Sequence, residues 1–164
     1  MNIFPLDRNF EISATYHVDS HVVKIPLECA QMMSTACHVN GIEAGYKASY
    51  INHPTTHWVR ECIENWNWMK SYVEALNNEW RIRFNHPASR NHKAYDTILA
   101  LPTPNLRVNG SITPIPLCMP DYCQIEGDPF SSYRKYYILC KSHLAKWKFP
   151  RNIPVWFEKG EFNV

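Results

Sequence analysis

Apolar residues recur at helical spacing through most of the chain, in blocks separated by Asp, Asn, Pro and Gly. The pattern predicts a first helix after Asp7, acting as N-cap, to about Tyr16. A second cap at Asp19 opens a helix from Ser20 to about Val39, which Asn40 and Gly41 stop. The third and longest helix begins at Pro54, with Thr55 or Thr56 as further caps, and reaches about Phe84. Asn85-His86-Pro87 ends it. A shorter helix spans roughly Asn91 to Ala100. Residues 102–129 hold six of the twelve prolines, so that stretch reads as irregular or short-stranded. A last long helix covers about Phe130 to Trp147, and Trp156 and Phe157 in the tail pack back onto the bundle. The fold class expected is mainly α: one compact helical domain over residues 1–164, with a Pro-rich excursion around 102–129.

The second helix has an unusual surface. At about 100° per residue, His17, His21, Lys24, Glu28, Gln31 and Thr35 fall in one narrow strip. Apolar side chains, from Val22 to Cys37, occupy nearly all the rest. An ordinary surface helix has the reverse balance. Buried ionisable groups are costly unless paired or in contact with something polar. The strip therefore reads in three ways. It is a structural Lys24–Glu28 pair beside a water-lined cleft, a phosphate-binding line with Lys24 and the histidines, or a catalytic line with Glu28 or His21 as acid or base. Pro26 either kinks this helix or starts it.

Other polar residues have a binding reading beside a plainer one. Trp58, Cys62, Trp66, Met69, Val73, Leu76 and Trp80 make a core stripe in the third helix, and Asn65 falls inside it. Such an Asn bonds neighbouring backbone or meets a base edge. Asn52 and His53 precede Pro54 at a helix start, a place that suits an anion and that capping alone also explains. The residues expected at a site are thus Glu28 and His21 for catalysis, and His17, Lys24, Gln31, Asn52, His53 and Asn65 for ligand binding. His17, Asp19 and His21 look like a metal cluster. Asp19 is better used as a cap, however, and no third and fourth ligands are defined, so neither a metal nor another cofactor is expected.

Charge and composition narrow the partners. Seventeen Lys and Arg stand against fifteen Asp and Glu, a formal +2. Phosphate neutralisation supplies most of a duplex binder's affinity, so stable binding to undamaged duplex is not favoured. Six Trp, nine Tyr and seven Phe, with eight His, fill a core or build flat walls for a nucleobase. Six cysteines at 29, 37, 62, 118, 123 and 140 form no C-x-x-C and read as free thiols of a reducing cytosol. No apolar run approaches the ~18 residues of a membrane span. The start shows no secretory pattern.

Several blocks carry a resemblance. Tyr16-His17-Val18-Asp19-Ser20-His21-Val22-Val23-Lys24, Leu27-Glu28, Asn52-His53-Pro54, Trp58-Val59-Arg60-Glu61 and His143-Leu144-Ala145-Lys146-Trp147 are similar to blocks of a family of small tailed-phage proteins. That similarity runs along nearly the whole chain. It implies a phage origin and action in the host cytoplasm, and it supplies no activity. A weaker similarity extends to phage-type pyrimidine-dimer DNA glycosylases, some bacterial relatives of which show a Tyr-x-x-His-Pro-like block similar to Tyr50-Ile51-Asn52-His53-Pro54. Those compact helical proteins use an N-terminal amine, exposed by loss of Met, with a Glu nearby. The resemblance implies Glu28 as that Glu. Here Asn2 follows Met1, and Met is not expected to be trimmed before so large a side chain. The leading expectation is a binder of a nucleotide-type ligand such as a cyclic nucleotide immune signal, with or without hydrolysis. The alternatives are a base-lesion glycosylase/lyase and an inhibitor of a host protein. No membrane partner is expected, and a homodimer is compatible with exposed aromatics.

Overall fold

The computed structural model describes residues 2–164, whose regular elements are all helices, with no strand among them. The helices are α1 (Phe10–Tyr16), α2 (Asp19–Val39), α3 (Pro54–Val59), α4 (Ile63–Arg83), α5 (Lys93–Ala100), α6 (Pro129–Cys140) and α7 (Val155–Lys159). Two 3₁₀ turns, Asp121–Cys123 and Ser142–Leu144, flank α6. No described helix is long and apolar enough to cross a membrane.

α2 is central: it packs against α3, α4 and α5, and α1 lies along α4. The core draws Ile25, Met32 and Met33 from α2, Trp66, Met69 and Leu76 from α4, and Tyr133 and Tyr137 from α6. Into this core runs an extended arm, residues 2–6, whose Ile3 and Leu6 are fully buried. Its backbone groups have side-chain partners, as buried polar groups require. The Leu6 N–H donates to Ser13 Oγ (2.9 Å), the Tyr72 hydroxyl to the Ile3 carbonyl (2.6 Å), and Arg134 Nε to the Leu6 carbonyl (2.7 Å).

Several boundaries differ from the sequence expectation for tertiary reasons. Asn9, not Asp7, caps α1, accepting from the Ile12 N–H; Asp7 instead pairs with Arg134. Asp19 is not a cap but the first residue of α2. Its carboxylate accepts from the Lys148 N–H (2.9 Å) and faces Arg83 at 3.3 Å. Pro26 lies inside α2 and does not start it. The helix expected from 54 to 84 is two helices. Cys62 is extended, and the Ile63 N–H donates to the Arg107 carbonyl (3.0 Å) while Arg107 Nε donates to that of Glu61 (3.1 Å). The Pro-rich stretch therefore takes over the bonds that would have continued the helix. His92 caps the fifth helix, so it opens at Lys93. The last long helix stops at Cys140, because residues 146–148 are drawn across the start of α2: the Asp19 N–H donates to the Lys146 carbonyl (2.8 Å) and Trp147 Nε1 to that of Tyr16 (3.0 Å).

One glycine is required by its surroundings. Gly45 has a φ of +71°, and a Cβ there would meet Ser34 Oγ and Leu101 Cδ2. Ser34 Oγ donates to the Ala30 carbonyl and accepts from the Tyr46 N–H, so it cannot withdraw without cost. Gly45→Ala is expected to destabilise the fold by about 1–3 kcal/mol through left-handed strain and overpacking. Chemical denaturation checks this.

Candidate active site

The arm brings residue 2 to α2. Its main-chain N–H donates to Glu28 Oε2 at 2.6 Å, and its side chain is fixed on both sides. Asn2 Nδ2 donates to the Cys118 carbonyl (2.7 Å), and Asn2 Oδ1 accepts from the Ile3 N–H (2.8 Å). Phe4 turns the arm. It is buried and adopts φ +46°, an uncommon value outside glycine that costs about 1 kcal/mol or more. Its ring stacks on Tyr136 (centroids 5.6 Å, 12°) and lies 4.6 Å from His21. The packing of three rings holds the bend that presents residue 2.

These groups line a cavity of about 290 Å³. Glu28 sits at its side with little exposure, and Lys24 Nζ lies 3.4 Å from Glu28 Oε1 at the rim, with two-thirds of its side chain in solvent. Such a half-exposed pair is worth little to stability, so the carboxylate is available to a ligand. His21 Nδ1 and the Tyr137 hydroxyl share a hydrogen bond of 2.5 Å. Burial, with Lys141 and Lys24 nearby, lowers the His21 pKa to about 4. Burial also pushes the Tyr137 phenol well up. Both are neutral near pH 7. Cys118, Tyr136, Lys141 and Leu144 complete the wall.

The structure therefore brings together His21, Lys24 and Glu28 of the expected site residues, and separates the others. His17 is fully buried behind the cavity. Its Nδ1–H donates to the Ser13 carbonyl (2.8 Å) and Nε2 faces the Tyr72 hydroxyl (3.1 Å). Asn65 spends its amide on the core. It donates to the Trp58 carbonyl and Thr113 Oγ1 (both 2.8 Å) and accepts from the Thr113 N–H (3.0 Å), stitching the Pro-rich stretch to α4. Gln31 lies half-buried one turn beyond Glu28 and does not line the cavity. Asn52 is exposed in a turn, and His53 caps α3 by accepting from the Thr55 N–H (3.2 Å). The strip on α2 is thus not one buried line. Lys24 is exposed, as are Val23 and Leu27 on the apolar side. His17, Asp19 and His21 each have other partners, and no group of three His, Cys, Asp or Glu among the described residues could hold a metal ion.

Asn2, Phe4, Cys118, Tyr136, Lys141 and Leu144 were not legible as site residues from local pattern. They reach the cavity from the arm, the Pro-rich stretch and the end of α6, up to 116 positions away from the groups they touch. The only signal for Asn2 was the amine chemistry of the glycosylase resemblance.

The two buried histidines make the fold acid-labile. Burial, together with the neighbouring His21, lowers the His17 pKa to about 3. Unfolded histidines protonate near 6.5, but the folded ones do not until about 4 and about 3. Unfolding therefore takes up protons between these limits. Stability is full above about pH 6.5 and falls as pH drops toward 4, by about 1.4 kcal/mol per pH unit for each histidine. His17→Gln should lessen that slope. Urea midpoints at pH 7, 6 and 5 measure it, and a flat profile would contradict it.

In outline this is a helical protein in which the nitrogen of residue 2 meets a carboxylate inside a cavity walled by rings and cations. A family model described as pyrimidine dimer DNA glycosylase matches residues 1–91, more than half of the chain, and the chain belongs to that family. The match supports the glycosylase resemblance, and favours the DNA-lesion reading over a nucleotide-signal ligand. No curated protein and no solved structure matches the chain. The matched part holds Asn2, His21, Lys24 and Glu28; the opposite wall, from Cys118 to Leu144, lies outside it.

Proposed function

We propose that the protein excises damaged pyrimidines from DNA, with Glu28 as the carboxylate at the glycosidic bond. The observation that supports this best is the 2.6 Å contact between Glu28 and the nitrogen of residue 2. While that nitrogen is part of a peptide bond, its lone pair is delocalised and it only donates to Glu28. Glu28 then has one oxygen left to take a proton from water attacking the sugar C1′, and the base leaves by hydrolysis. Only removal of the residue before Asn2, which its large side chain disfavours, would make the nitrogen a primary amine. Glu28 can then accept its proton as the nitrogen bonds to C1′, the base departs, and the ring opens to an imine. Lys24 and Lys141 at the rim suit the flanking phosphates. Phe4 and Tyr136 offer ring surface to an extruded base.

Ultraviolet-irradiated duplex, incubated with the protein and analysed for abasic sites and strand breaks, tests this reading. Lesion-dependent formation of abasic sites is expected, the freed base remaining tethered to its neighbour where the lesion is a dimer. Borohydride traps a protein–DNA adduct only through an imine, so peptide mass spectrometry of the adduct reports whether Asn2 is the nucleophile. An irradiated duplex left intact would overturn the proposal.

A further inference from the structure

No acidic residue occurs between Asp128 and Glu158, while six Lys or Arg do. The near-neutral chain thus concentrates its positive charge in one stretch. Arg134 is paired with Asp7 and Arg151 with Glu79, and Lys135 lies over the Phe162 ring. Lys141, Lys146 and Lys148 have no carboxylate partner among the described residues. Lys146 and Lys148, with His143, line a second cavity of about 750 Å³ against Asp19, Ser20 and Phe84. Leu144 lines both this cavity and the one holding Glu28, so the two adjoin. The negative charge of Asp19 is opposed by the buried Arg83.

The backbone of this stretch is fixed. Asp19 binds it twice, at the Lys146 carbonyl and the Lys148 N–H, and Trp147 Nε1 anchors it to Tyr16. Lys146 and Lys148 are exposed, Lys148 Nζ lying 5.9 Å over the Phe84 ring and Lys141 Nζ 5.0 Å over the Tyr136 ring, on a frame that does not need ordering, which favours binding. Immediately after Lys148 stands Phe149, 87% exposed, the most exposed large apolar side chain described. An isolated exposed ring beside cations on a rigid loop matches the two needs of a nucleic-acid strand, phosphate neutralisation and a stacking face.

We infer that residues 141–149 form the track along which a DNA strand leaves the Glu28 cavity, with Lys146 and Lys148 on consecutive phosphates and Phe149 against a base. The inference rests on the DNA reading above, but concerns residues outside the family match. It also explains how a chain of +2 could hold DNA.

The test is fluorescence anisotropy of ultraviolet-irradiated, thymine-containing duplex across a salt titration, with cleavage of the same duplex in parallel. The full chain is compared with Lys146→Gln/Lys148→Gln, Phe149→Ala and a control, Lys47→Gln/Lys93→Gln, which removes equal charge from residues lining neither cavity. Loss of two phosphate contacts should reduce the slope of log affinity against log salt by about 2 in the first variant, and the control should keep the wild-type slope. Phe149→Ala should weaken binding roughly tenfold with the slope unchanged. Its side chain has little packing to lose, so it tests the track even if the lysine variant melts early. An unchanged slope in the first variant together with unchanged affinity in Phe149→Ala overturns the track while cleavage keeps the excision reading. Binding with these dependences but without cleavage overturns excision and keeps the track. A wild-type chain that binds no irradiated duplex overturns both.

Discussion

Glu28→Gln is expected to lower the rate of lesion excision about a hundredfold to ten-thousandfold, the range for loss of a general acid or base. The substitution is conservative in shape. Glutamine keeps an oxygen that can accept the residue 2 N–H, so the arm should stay in place. What is lost is the ability to take a proton from water or from an amine. The loss of the Lys24 pair should matter little, because Lys24 is mostly in solvent. Single-turnover kinetics on irradiated duplex, with thermal melts, separate the two effects. A variant that folds, binds and still excises at the wild-type rate would place the chemistry on another group.

Arg83→Met should destabilise the fold by about 3–5 kcal/mol, the cost of removing one partner of a buried ion pair. The Arg83 side chain is fully buried at the end of α4. It pairs with Glu79 (2.7 Å), and donates to the carbonyls of His17 and Thr15. Glu79 is nearly as buried and is held also by Arg151 at 2.7 Å. Methionine fills much of the volume but leaves the carbonyls of the α1–α2 junction unpaired and Glu79 with half its compensation. Urea denaturation at pH 7.5 measures the loss. Because the junction aims α2, activity should fall at temperatures where the variant remains folded. Glu79→Gln/Arg83→Met, which removes the stranded charge, should recover part of the stability.

What the sequence revealed follows from the range of the interactions concerned. α2 was legible because its apolar periodicity and its Asn40-Gly41 stop are local. The core stripe from Trp58 to Trp80 was legible for the same reason, and all seven residues are buried. The break at Cys62 was not, because nothing near it disfavours helix; a partner some 45 residues on, Arg107, takes its bonds. The strip on α2 showed that His21, Lys24 and Glu28 share a face. It could not show that His17 points into the core, since its partner Tyr72 belongs to another segment; Asn65 did read as a core position, and only its bonds to Thr113, 48 positions on, were hidden. Asp19 reads as a cap in any sequence, and only Arg83 and Lys148 give it another use.

The cavity is closed by residues made long after its floor. Asn2 and Glu28 belong to the first part of the chain, but Cys118, Tyr136, Tyr137 and Lys141 come more than eighty positions later. During synthesis, Glu28 is outside the ribosome long before the groups that wall it. A nascent chain therefore presents an open, hydrated carboxylate and no ring platform. The cavity exists only once α6 has docked, bringing Tyr137 to His21 and Tyr136 to Phe4.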